Sequence, residues 1–114
     1  MKYTSLSTQD LTPVSHNGAI AKTVLLAQGD AEPLIQFAQA EFPAGQIAPS
    51  HAHPDMAEVF FVESGAGEIE VEDQVHRLEP GVCVLVEPQE RHEVRNTGTE
   101  PLVLTYFGVR SPAR

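Results

Sequence analysis

Apolar and polar positions alternate along most of this chain in short runs, and the runs are broken every few residues by Gly, Pro, Asn or Asp. Glu68 to Glu72 is the clearest case. Ile69 and Val71 point one way and Glu68, Glu70 and Glu72 the other, which is the period of a strand with one solvated face. Asp73-Gln74 turns the chain, and Val75 to Leu78 returns with His76 on the inward parity of Leu78, where it would either line a pocket or stand as a hydrogen-bonded strand histidine. Glu58-Val59-Phe60-Phe61-Val62 and Ala19 to Leu26 read as strands. So does Pro101 to Val109, which is apolar at both parities. Val82 to Val86 is nearly continuous in apolar residues, as in a strand covered on both faces; Cys83 is then a buried thiol. Leu34 to Phe42 is rich in alanine and glutamine, which favour helix. It is short and hemmed by Pro33 and Pro43, so it is assigned as a strand. A short helical turn is expected near Asp10-Leu11, with Pro13 limiting it. Many short strands and no βαβ alternation predict an all-β fold, either a small barrel or a double-sheet jelly roll.

Chemistry concentrates between Gly45 and Gly65. His51 and His53 are two residues apart, which on an extended strand puts both rings on one face. Glu58 follows the turn Pro54-Asp55 and opens the next strand among apolar neighbours. An uncompensated carboxylate there would tend to take up a proton, whereas a bound cation keeps it ionised. A His-x-His pair also occurs on plain solvated strands, so the spacing alone does not assign a metal. A fourth candidate ligand, His92, follows the turn-rich Glu87-Pro88-Gln89-Glu90-Arg91 and shares a face with Val94 and Asn96. Imidazole and carboxylate together suit a borderline divalent ion such as Fe, Mn, Ni or Zn. Inward parity brings Phe60 and Val62 beside Glu58, giving a mostly apolar pocket with no cation on the ligand-bearing strands; Arg77 and Arg91 could reach only its rim. His16, in the turn cluster Ser15-His16-Asn17-Gly18, reads as solvent-exposed.

Composition narrows the partners. Of 114 residues 41% are hydrophobic, which fits one globular domain spanning 1–114. Sixteen acidic residues against seven basic ones give a formal net charge of −9. Nucleic acid and anionic membrane surfaces, which are bound through Lys and Arg patches, are therefore unlikely partners. The single cysteine excludes an intrachain disulfide. The polar N-terminus has no apolar signal core, and the longest apolar run is too short to span a bilayer. A cytoplasmic location is the resulting expectation.

The spacing of these residues resembles the cupin superfamily. Its first motif is a glycine, five residues, His-x-His, three or four residues, a glutamate, six residues and a glycine, filled here by Gly45, His51, His53, Glu58 and Gly65. The second motif is a glycine, five residues, Pro-x-Gly, two residues, a histidine, three residues and an asparagine. Gly81, His92 and Asn96 hold its outer positions, but Glu87 and Gln89 stand where the proline and glycine belong. The resemblance implies a double-stranded β-helix, or jelly-roll barrel, with residues 45–96 as the core of a site in which His51, His53, Glu58 and His92 bind one divalent metal. Phe60, Val62, His76, Val94 and Asn96 are expected to line the pocket beside it. It also implies a homodimer with strands of residues 1–33 packing on the partner. The implied function is that of a metal-dependent enzyme, such as a dioxygenase, lyase or isomerase, acting on a small organic molecule. The alternative is a non-enzymatic module that binds or senses a small molecule or metal. One fold of this kind hosts many chemistries.

Overall fold

Ten strands and no helix make up the computed structural model, which describes residues 1–111. In chain order they are β1 (Leu11–Val14), β2 (Asn17–Leu26), β3 (Leu34–Phe42), β4 (Ile47–His51), β5 (Met56–Ser64), β6 (Gly67–Val71), β7 (Gln74–Leu78), β8 (Cys83–Val86), β9 (His92–Arg95) and β10 (Leu102–Arg110). They form a six-stranded antiparallel sheet ordered β1-β2-β3-β10-β5-β8 and a four-stranded one ordered β4-β9-β6-β7. The inner faces meet in one core. Ile69, Leu78 and Val94 come from the small sheet; Ile20, Phe42, Phe60, Val62, Leu102 and Leu104 come from the large one. Full burial of a side chain such as Leu104 or Ile69 contributes about 1.5–3 kcal/mol. The strand pattern's all-β expectation holds, and the arrangement is the double-stranded β-helix that the resemblance implied.

Alternation sets which residues enter the core. In β10, Leu102, Leu104, Tyr106 and Gly108 are buried, while Val103, Thr105, Phe107 and Val109 lie half-covered on the outer face. The β6–β7 turn is Glu72-Asp73, one residue earlier than expected, with both residues at positive φ (46° and 67°) as a two-residue hairpin of this hand requires.

Several expectations are corrected. Residues 11–14 form strand β1 rather than a helical turn. Pro13 is tolerated there because β1 is an edge strand with one face unpaired. Cys83 is exposed, not buried. β8 is the opposite edge strand, so only Val84 and Val86 turn toward the core, and Cys83 and Leu85 face out. His76 is also exposed. It has the inward parity of Leu78, but β7 is the edge of the small sheet and does not bring that ring under cover. Apart from these corrections, β1 and β2 extend this chain's own large sheet through the β2–β3 pairing. The sequence also suggests a frayed tail over Arg110 to Arg114; Arg110 instead closes β10, and residues 112–114 lie outside the described residues.

Candidate metal centre

The small sheet supplies His51, at the end of β4, and His92, at the start of β9. These two residues pair across the β4–β9 ladder. The chain leaves the strand after His51, so His53 sits in the following loop rather than on a continued strand face. Gln89 anchors that loop: its N–H donates to the His53 carbonyl at 2.6 Å. Gln89 holds φ at 70°, a left-handed conformation normally given to glycine, so the departure from the second motif keeps the backbone shape without the glycine. Glu58, the third residue of β5, reaches the same point from the large sheet. One ligand atom from each of His51, His53, Glu58 and His92 lies within 4.8 Å of all the others. Two ligands on opposite sides of one ion, each bound at about 2.1 Å, would be about 4.2 Å apart, so a contraction of about half an ångström at the widest pair brings all four atoms onto a single ion.

Hydrogen bonds around the rings favour metal ligation. The His51 Nδ1 lies 2.8 Å from the Pro49 carbonyl and the His92 Nδ1 lies 3.0 Å from the Glu90 carbonyl. A carbonyl can only accept, so each Nδ1 carries the proton and each Nε2 is left to bind a metal. Oε1 of Glu58 lies 3.0 Å from Nε2 of His53 and accepts a hydrogen bond from Nε2 of His92 at 3.2 Å. Burial would pull His92 below its ordinary range. The hydrogen bond to Glu58, the Glu90 carbonyl and the Glu58 charge outweigh it, and the net shift is upward. His51 shifts down, because burial and the neighbouring His92 and His53 outweigh its Pro49 contact. Glu58 is 7% exposed and His92 is 1% exposed. This pair is a buried carboxylate and imidazole with acceptors at both ring nitrogens.

The cluster opens into a cavity of about 230 Å³ whose walls include Phe60 and Val94, as expected, together with Leu104 and Tyr106 of β10. Tyr106 is pushed up to about 12 by burial and by the Glu58 charge, so its phenol stays protonated. Val62, though inward, is packed in the core and does not line the cavity. Asn96 does not line it either. It is buried in the β9–β10 turn, where its amide donates to the carbonyls of Phe42 and Glu100 and accepts from Gly98 N–H. The fourth wall was not read from the sequence. Val14, Ser15 and His16 of the β1–β2 hairpin, with Lys22 and Gln36, close the cavity. The readable signal was parity: Lys22 shares a face with Ile20, and Gln36 with Ala38 and Ala40, so each is a polar residue on an otherwise inward apolar face.

The chain is similar to several known proteins. It is 33% identical over 69 residues to Protein SchB of Streptomyces halstedii, covering 60% of this chain and 50% of that one. The chain thus spans about half the length of the curated relative it matches. A structure described as a predicted oxalate decarboxylase from Thermotoga maritima superposes with a TM-score of 0.88 at 18% identity, covering 96% of this chain and 99% of that one. The polyketide cyclase RemF of Streptomyces resistomycificus gives 0.80 at 16% identity, with 98% and 80% covered. KdgF from a Halomonas species gives 0.78 at 20% identity, with 96% and 94% covered. At these identities the structural likeness is one of fold. The family model for the cupin domain matches residues 38–108, well over half the sequence, and the chain belongs to the cupin domain family.

Proposed function

We propose that the protein is a metal-dependent enzyme acting on a small organic molecule, with one divalent ion held by His51, His53, Glu58 and His92. The observation that carries this reading is the convergence of four ligand atoms within 4.8 Å at the wall of a largely apolar cavity. A bound ion of this class supplies Lewis acidity toward a carbonyl or carboxylate oxygen. The chain does the rest. Phe60, Val94 and Leu104 exclude water and orient apolar parts of a ligand. The neutral Tyr106 phenol offers a hydrogen bond without giving up its proton at ordinary pH. The names of two similar structures, a polyketide cyclase and a predicted oxalate decarboxylase, also point to carbonyl and carboxyl compounds.

Purified protein should carry one equivalent of metal per chain, measured by elemental analysis, and the His51→Ala, His53→Ala double variant should carry almost none. Affinity should rise with pH between about pH 5 and 8. Binding requires His92 to lose the proton that Glu58 helps it hold, so protons compete with the ion until the pH exceeds that raised value. Full occupancy in the double variant, or an affinity that does not change with pH, would sink the assignment.

We place a second copy of the chain on the outer face of the large sheet. Leu85, Val59, Phe107 and Phe37 form one row across β8, β5, β10 and β3, with Cys83 and Phe61 in the next. Leu85 is 59% exposed and Phe61 41% exposed, an apolar face larger than scattered surface residues would make. Light scattering should give a dimer mass. Labelling of Cys83 should be fast in dilute protein and slow as concentration rises. A monomer mass with concentration-independent labelling would count against the homodimer. A cytosolic location belongs to this reading, since a free exposed thiol suits a reducing compartment.

A further inference from the structure

We infer that Lys22 is a charge clamp that selects ligands bearing a single carboxylate, or an equivalent monoanion, for the cavity beside the metal centre. Lys22 pairs with Ala40 across β2 and β3 and shares its inward parity, and it lines the cavity together with Gln36. Lys22 is half-buried, and among the described residues the one hydrogen-bond partner of its ammonium is the Gln36 Oε1 at 3.5 Å. An ammonium has three donors and no acceptor, and 3.5 Å is at the limit of a hydrogen bond. Lys2, Arg77, Arg95 and Arg110 are each paired with carboxylates. Among the described residues, Lys22 and Arg91 are the basic side chains in no ion pair. In a chain of net charge −9, a partly desolvated cation left without a counter-charge is costly, and a ligand anion would relieve that cost.

Register places the clamp opposite the cluster. Gln36 and Glu58 both face Gly108 of β10, from β3 and β5 respectively. They are therefore two strand spacings apart, about 10 Å. A small molecule can span that gap with one oxygen at the metal centre and an anionic group at Lys22. One cation, with Gln36 beside it, in a largely apolar wall suits a monoanion; a phosphate or dianion would want more donors. The cavity is smaller than the roughly 300–1,000 Å³ of drug-sized sites, which fits an acid of few non-hydrogen atoms.

This inference rests on the reading of the cavity as the ligand site, and the test separates the two. Acetate, pyruvate and benzoate, each against its neutral amide, are titrated calorimetrically into protein whose metal content is measured on the same sample. At least one acid should bind the wild type more tightly than its amide. Lys22→Met should weaken that acid ten- to hundredfold and leave the amide unchanged. Lys22→Arg should retain the preference, and Arg91→Met, which removes the same charge outside the cavity, should retain most of it. If no acid is preferred by the wild type, or if Lys22→Met keeps its affinity for acids, the clamp is overturned. Arg91→Met having the same effect as Lys22→Met would overturn it too, since net charge would then suffice. Any of these results with one equivalent of metal present leaves the metal centre standing. Lys22-dependent acid binding in protein that takes up no metal would do the reverse.

Discussion

A Glu58→Gln chain should bind its divalent ion at least 10–100-fold more weakly than the wild type, the loss already typical when only a supporting hydrogen bond of a metal site is removed. Glu58 is the one ligand that comes from the large sheet, and its Oε1 faces two of the three histidines. Gln is nearly the same shape but brings no charge to offset the ion's, and the effect should be largest for harder ions. At saturating metal each tenfold loss of affinity removes about 1.4 kcal/mol of folding stability by mass action. The variant should therefore melt lower than the wild type with metal present. That gap should shrink or invert after chelation, because the apo protein no longer buries an ionised carboxylate. Titration of matched apo proteins is the deciding measurement. Equal dissociation constants would leave a three-histidine site in place of the one proposed.

The second large effect is structural and lies at the end of the first motif. Gly65→Ala should destabilise the metal-free protein by about 3 kcal/mol, combining a left-handed backbone cost of about 1–2 kcal/mol with an overpacking cost of similar size. Gly65 has φ at 87°, and a Cβ there would run into the Pro101 carbonyl oxygen and the Leu102 Cα. Both obstacles are backbone, and Leu102 is 0% exposed, so neither can swing aside as a flexible side chain would. The melting temperature should fall by roughly 10–20 °C. Gly81→Ala supplies the control. Gly81 has φ at 92° with open space where the Cβ would sit, so only the backbone cost of about 1–2 kcal/mol applies. Urea unfolding of the two variants should separate them clearly, and equal losses would show that the close approach at Pro101 is not what demands the glycine.

Much of the molecule was legible along the chain because strand period and ligand spacing are local properties. The runs that became β3 and β9 carried their bounds in flanking prolines and turns, and inward parity at Glu58, Phe60, His92 and Val94 follows from alternation alone. The four candidate ligands could be named from spacing because each lies beside a turn that fixes its register. What alternation cannot say is whether an inward-pointing residue has anything above it. His76 has the right parity but stands on the edge strand of the small sheet, and Cys83 belongs to an apolar run on the edge of the large one, so both are exposed. Strand order is decided by long-range pairing, and it alone made them edges. The same pairing brought β2 beside β3 and carried Lys22 into the cavity wall from a segment far in sequence from every ligand. The sequence by itself determined most of the strands, the candidate ligands and the family pattern. Only the tertiary structure decided which faces are covered and which cation meets the site, because burial and electrostatic neighbourhood depend on residues that the chain brings together from a distance.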